Sequence, residues 1–238
     1  MRKMKGSSNY LKNQVRKNLA KAVLCVALFF LIFFALSLRA LLTQSFSVFE
    51  AAGLLVSLVP LAAFYFYLRT YRIYNAGWEG EKQITKLLSS KLSDDYLLIN
   101  DLYLRNGGGD IDHVVLAPSG IFVLETKNWS GDITCDGDRW QRAGKRSFKG
   151  SPSLQVKRNT AKIKNIIDSS QAFGSLGVWI EGIVVFTNNN ATFHLNNPTV
   201  LILKLSQLLD HITTHRSPSN LSRQQIEAIG KEILRQKS

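Results

Sequence analysis

Four charged side chains sit where two apolar strands should end. The stretch Gly109-Asp110-Ile111-Asp112-His113-Val114-Val115-Leu116-Ala117 leads through Pro118-Ser119-Gly120 into Ile121-Phe122-Val123-Leu124-Glu125-Thr126-Lys127. A four-residue turn over 117–120 has Pro at its second position and Gly at its fourth. That turn would set Asp112 opposite Glu125 and Asp110 opposite Lys127. Alternation along each strand then puts all four on one face. Carboxylates opposed at about 5 Å between their β-carbons repel. A divalent cation held by oxygen ligands, with Lys127 beside it, would offset that repulsion. The plainer reading is a solvated strand end with a charge network.

The elements that must position these groups read as interior strands. Ile111, Val115, Phe122 and Leu124 fall on one face, and Val114, Leu116, Ile121 and Val123 on the other. Strands apolar on both faces are covered on both sides. The charges therefore stand beside a core. His113 alternates to the face opposite Asp112, which predicts a packed or hydrogen-bonded role.

Asp112 followed thirteen residues later by Glu125-Thr126-Lys127 resembles the core of the PD-(D/E)XK nuclease superfamily. Ile111 stands where the superfamily name has Pro. From about Gly77 to Ile167 the chain is similar to the nuclease-related domain, NERD. The segments that carry the likeness are Gly77-Trp78-Glu79-Gly80-Glu81, Gly109 to Val115, Gly120 to Gly131 and Ser151-Pro152-Ser153-Leu154-Gln155. The resemblance implies a restriction-endonuclease-like α/β fold, a central mixed sheet flanked by helices. It implies that Asp112 and Glu125 hold Mg²⁺ (or Mn²⁺) and that Glu81 adds a carboxylate to the metal shell. Lys127 would orient or deprotonate the attacking water, or steady the transition-state charge. Gln155 would support the site or touch a phosphate.

The 238 residues suit one soluble domain and an appendage. Residues 22–38 contain no charge, and neither do residues 51–68. Each is long enough to cross a hydrocarbon core. A signal peptide is the alternative for the first run, but no small-residue cleavage site follows it. Residues 1–21 carry seven basic residues and no acidic one, the connector holds Arg39, and Arg69 and Arg72 follow the second run. Positive flanks predict a hairpin in the cytoplasmic membrane with both termini and the soluble domain in the cytoplasm. The expected organisation is a basic segment 1–21, a membrane hairpin 22–68, a linker 69–76 and a nuclease-related domain 77–238. Two cysteines, Cys25 and Cys135, offer no plausible pair and no Cys/His metal spacing.

The formal net charge is +13. Between 139 and 164 stand nine basic residues and no acidic one: Arg139, Arg142, Lys145, Arg146, Lys149, Lys157, Arg158, Lys162 and Lys164, with Trp140 and Phe148 interleaved. Such a run is a solvated face, a membrane-facing patch or a phosphate-tracking surface. Its place directly after the candidate metal site favours the last, with Arg139 to Lys149, Lys157 and Arg158 as contacts to nucleic acid.

Elsewhere, apolar periodicity predicts a helix over 79–92 and a strand over 96–104. It predicts a helix from Ser151-Pro152 to about 170 with Val156, Ile163 and Ile167 inward. Strands over 178–187 and 199–205 and helices over 206–215 and 221–236 complete the domain. His194, His211 and His215 form no recognisable set, and no phosphate-cradling glycine loop is present. The expected function is metal-dependent hydrolysis of nucleic acid, DNA first. The rival is a non-catalytic, membrane-tethered module for nucleic-acid binding or signalling that keeps the fold.

Overall fold

A computed structural model describes residues 1–5, 9–44, 47–105, 109–143 and 150–237, the side chains of Lys5 and Phe49 excepted. The chain divides into two compact units, 9–78 and 1–8 with 79–238.

The first unit is a helical hairpin. Helix α1 (Tyr10–Thr43) and helix α2 (Val48–Lys91) are long and apolar enough to cross a membrane. They run antiparallel. Tyr10 meets Tyr74 edge-on at 6.1 Å, and Lys21 lies over the Tyr67 ring at 5.2 Å. A Cβ at Gly53 would come within 2.9 Å of Leu36 Cδ1, so glycine lets the helices close there. Arg39 and Glu50 pair at 3.3 Å beside the turn. Large apolar side chains such as Phe30, Leu31, Phe34, Leu55, Val59 and Phe66 remain exposed. Helix α2 continues through Pro60 and through residues 69–76, so the helix expected over 79–92 is its last part.

The second unit is a mixed α/β domain. Its main sheet has the order β1 (Arg2–Lys5), β2 (Leu97–Leu102), β3 (Ile111–Ala117), β4 (Gly120–Lys127), β7 (Ile180–Phe186), β9 (Leu201–Lys204). Strands β2, β3 and β4 are antiparallel; β1 joins β2, and β7 and β9 continue from β4, in parallel. A small sheet follows the order β6 (Arg139–Arg142), β5 (Gly131–Asp136), β8 (Ala191–Asn196). The basic segment at the chain's start thus supplies an edge strand, and Arg2 pairs with Glu227 at 2.9 Å. Strand β8 was not expected from the sequence, although Ala191, Phe193 and Leu195 alternate with polar residues; most of it is exposed.

Two apolar layers sandwich the main sheet. Helices α3 (Pro152–Asp168) and α5 (Arg223–Arg235) cover one face with Val156, Ile163, Ile167, Ile226, Ile229 and Ile233. The end of α2, through Ile84 and Leu88, and α4 (Leu205–Thr214), through Leu208 and Ile212, cover the other. Helix α3 starts as expected: Ser151 Oγ accepts the Leu154 N–H, and Pro152 takes the first helical position.

Candidate active site

The β3–β4 hairpin has the expected register, with Ala117 opposite Gly120 and His113 opposite Leu124. Gly120 adopts φ +126°, and its missing Cβ leaves room for the Trp179 carbonyl 2.5 Å from where that atom would stand. Continuing the register sets Asp112 against Glu125. There the backbone ladder gives way to a side chain: Thr126 N–H donates to Asp112 Oδ2 at 2.7 Å. On its other edge β4 stays paired with β7 to Lys127.

An irregularity in β2 shapes this end of the sheet. Asp101 has φ +53°, a left-handed conformation that Asp tolerates better than most residues. It faces Asp112 between the pairs Asn100–His113 and Leu102–Ile111. Beyond it the alternation slips: Leu102 and Ile111 both join the core of Val114 and Leu116. Ile111 was expected on the Val115 face; the left-handed residue opposite the next position turns the strand end over. His113 behaves as expected, buried and bonded through Nδ1 to Asn100 Oδ1 at 2.8 Å.

Glu81 comes from the part of α2 that follows the uncharged run 51–68 and belongs, with residues 1–8, to the second compact unit. The preceding Gly80 makes the approach possible. A Cβ there would stand 2.8 Å from Thr187 Oγ1, 3.2 Å from Asn128 Cβ and 3.3 Å from Thr126 Cγ2. Sequence reading missed Asp101, which hydrogen-bonds Glu81 and raises its pKa. Its only signal was an acid inside an otherwise apolar strand.

The site thus gathers Glu81, Asp101, Asp112 and Glu125 around Lys127. Burial, then the charges of Asp112, Asp101 and Glu125, push Glu81 up to about 10. Burial and then Asp112 push Glu125 up to about 8, against the pull of Lys127 and Arg158. Burial also raises Asp112, against Lys127 and the Thr126 N–H. Lys127 donates to Glu125 Oε1 at 2.5 Å and lies 5.9 Å from the Trp129 ring centroid. Burial lowers its pKa, but Glu125, Asp112 and Glu81 outweigh that and hold it above the usual lysine value.

The donor set fits a hard cation. All donors are carboxylate oxygens, the chemistry Mg²⁺ prefers. Glu125 Oε2 is buried without a hydrogen-bond partner, and such an atom is costly unless something binds it. Among the described residues, no three of these acids bring ligand oxygens within 4.8 Å of one another.

The remaining expected residues divide. Gln155 lies on α3 one turn before Arg158 and Asn159. Asn159 Nδ2 reaches the Asp110 carbonyl at 3.4 Å, and the Arg158 charge acts on Glu125. Arg139 is exposed on β6, and Arg142 donates to Ser130 Oγ at 2.7 Å. Lys157 bonds both Asp138 oxygens at 2.9 Å, so its charge is already met. Lys145, Arg146, Lys149 and Phe148 lie outside the described residues. Trp140 is no exposed stacking platform: it is buried, stacked on Phe186 at 5.7 Å and bonded to Ser153 Oγ at 2.9 Å. His194 stands on β8 away from His211 and His215, but these two do form a set, with Glu181.

Residues 76–187 match the family model described as the nuclease-related domain. A protein of Streptomyces coelicolor named "Probable kinase PglW" is 26% identical over 125 residues, 51% of this chain and 8% of its own length. An uncharacterized protein of Bacillus anthracis is 38% identical over 60 residues, 24% of this chain and 28% of its own length. The chain therefore spans under a third of either relative. No solved structure matches. Through residues 76–187, which hold Glu81, Asp101, Asp112, Glu125 and Lys127, this chain carries a nuclease-related, or NERD, domain.

Proposed function

We propose that this chain is a membrane-anchored, Mg²⁺-dependent nuclease that hydrolyses phosphodiester bonds, with DNA as its substrate. The observation that carries the reading is Glu125 Oε2, buried and unpartnered among three further carboxylates and one lysine. Asp112, Glu125 and Glu81 would hold the ion, with Asp101 behind Glu81. A bound Mg²⁺ would neutralise a nonbridging phosphate oxygen and lower the pKa of a bound water. Lys127, kept protonated by its acidic neighbours, suits stabilising developing charge better than removing a proton. Arg158, Arg139 and Arg142 would meet the phosphate backbone.

The anchor would be the α1–α2 hairpin. Helix α2 is about 65 Å long at 1.5 Å per residue, twice a hydrocarbon core, so only its uncharged 51–68 stretch need lie in lipid. Strand β1 shares a sheet with β2, so the chain on either side of the hairpin would lie on one face of the membrane. The positive flanks make that face cytoplasmic.

The test is cleavage of single- and double-stranded DNA and RNA by the full-length chain in detergent, with Mg²⁺ and with chelator. A truncation at residue 70 would remove β1. Cleavage no greater than that of Asp112→Asn would sink the enzyme and leave the tethered, non-catalytic module. One observation favours that second reading: the matched region fills 8% of a relative named for a different activity.

A further inference from the structure

The geometry points to a second metal site, built by Glu181, His211 and His215, that takes a divalent transition ion of the Zn²⁺ class. It uses none of the residues assigned above. Glu181 stands on β7 opposite Phe122 of β4. His211 lies in the last turn of α4 and His215 caps that helix one turn later, its N–H bonded to the His211 carbonyl at 3.0 Å. Residues four apart share a helix face, so both imidazoles meet the strand that carries Glu181. One ligand atom from each residue lies within 4.8 Å of the other two.

The chemistry of the three donors selects the ion. Two imidazole nitrogens and one carboxylate oxygen suit Zn²⁺ and its neighbours, not Mg²⁺. At bond lengths near 2.0–2.1 Å, tetrahedral ligand atoms stand about 3.4 Å apart. In the structure His211 Nε2 bonds Glu181 Oε2 at 2.8 Å, and the ligand atoms of all three residues lie within 4.8 Å of one another. That bond alone would make an ordinary His–carboxylate pair. His215 adds what such a pair does not need, a ring nitrogen, Nε2, that is buried with no hydrogen-bond partner.

Both imidazoles are held by aromatic neighbours. His215 stacks on Trp179 with centroids 4.0 Å apart, and Phe122 meets His215 and His211 edge-on at 5.6 and 5.9 Å. Glu181 and His211 keep about a quarter of their side chains exposed, which gives an ion a way in. Three protein ligands leave a fourth position for water. Glu125 lies three residues along β4 from Phe122, about 10 Å by strand rise, with its side chain directed to the other face. The two sites should therefore bind independently.

The test uses the full-length chain in detergent, stripped of metal and titrated with Zn²⁺ against a chromophoric chelator. Wild type and Asp112→Asn should each hold this Zn²⁺ with equal affinity. Glu181→Gln and His211→Asn should weaken it about a hundredfold or more, beyond the loss typical of a supporting residue. Cu²⁺ should quench the emission of Trp179 through its stacked imidazole, and Trp179→Phe should remove that quenching. The Zn²⁺-dependent rise in melting temperature should vanish in Glu181→Gln, whose near-isosteric amide preserves the fold. No Zn²⁺ retained by wild type at micromolar free ion would overturn the site. So would affinity unchanged in the Glu181→Gln, His211→Asn double variant.

Discussion

Asp112 Oδ2 accepts the backbone N–H of Thr126 at 2.7 Å, so one candidate metal ligand also closes the end of the β3–β4 hairpin. The two roles can be separated by substitution. Asp112→Asn keeps an acceptor for Thr126 and removes a charge repelled by Asp110, Glu81 and Glu125. It should melt no lower than wild type in chelator. Asp112→Ala strands a buried N–H, at a cost of about 1–3 kcal/mol. It should be the less stable of the two by a margin of that order. Both should lose Mg²⁺-dependent cleavage. Equal stability of the two variants would show that the Thr126 bond contributes nothing.

Protonation of the acidic cluster predicts how stability depends on pH. Glu125 and Glu81 are lifted from 4.5 to about 8 and about 10. A raised folded-state pKa contributes stability that is full below pH 4.5 and is lost as pH climbs through the folded values. His113, lowered by burial to about 3, acts on the acid side of its ordinary 6.5, so the informative window begins near neutrality. Between about pH 7 and 9.5 the metal-free protein should lose melting temperature steadily. Mg²⁺, which competes with those protons, should protect more as pH rises. Thermal scans in chelator and in Mg²⁺ across this window decide it. A chelated melting temperature that rises with pH would mean the cluster is already ionised.

Much of the site was legible because its signals are local. Pro118 and Gly120 fix the turn, the turn fixes the register, and period-two alternation then assigns Glu125 and Lys127 to the face of Asp112. Glu81 came only from the family likeness, since nothing in its own helix marks it. Asp101 was out of reach: it matters through a left-handed φ and a register with β3, neither written in a short window. Strand β1 was hidden for a related reason. Arg2-Lys3-Met4-Lys5 reads as a basic flank, and its partner β2 starts more than ninety residues away. Arg139 to Lys164 read as one surface, yet the fold buries Trp140 within it and pairs Lys157 with Asp138. A charge run reports composition; the partners of each charge come from tertiary structure.

Lys127 gives a prediction with two signs. Lys127→Ala should lower turnover by about a hundredfold, the scale of losing one electrostatic partner in the transition state. It should also tighten Mg²⁺ binding, because it removes a cation that competes for Glu125 and Asp112. Lys127→Arg should restore part of the turnover. Measurement of rate and Mg²⁺ dependence together separates this from a general loss of structure, which would weaken both.

Gly80 tests whether Glu81 must be held close. Gly→Ala inside a helix ordinarily stabilises by about 1 kcal/mol. At Gly80 the new methyl would stand 3.2 Å from Asn128 Cβ and 3.3 Å from Thr126 Cγ2, with Thr187 Oγ1 nearer still at 2.8 Å. The threonine hydroxyl can rotate away, but the two carbons belong to the end of β4 and the turn after it. Crowding of this kind costs about 1–3 kcal/mol, enough to cancel the helix gain. The helix should yield by a few tenths of an ångström, carrying Glu81 away from Asp101 and Asp112. Gly80→Ala should therefore melt no higher than wild type in chelator and should lose Mg²⁺ protection about as fully as Glu81→Gln does. A more stable Gly80→Ala with an unchanged response to Mg²⁺ would show that α2 has slack there, and that Glu81 does not depend on this approach to reach the ion.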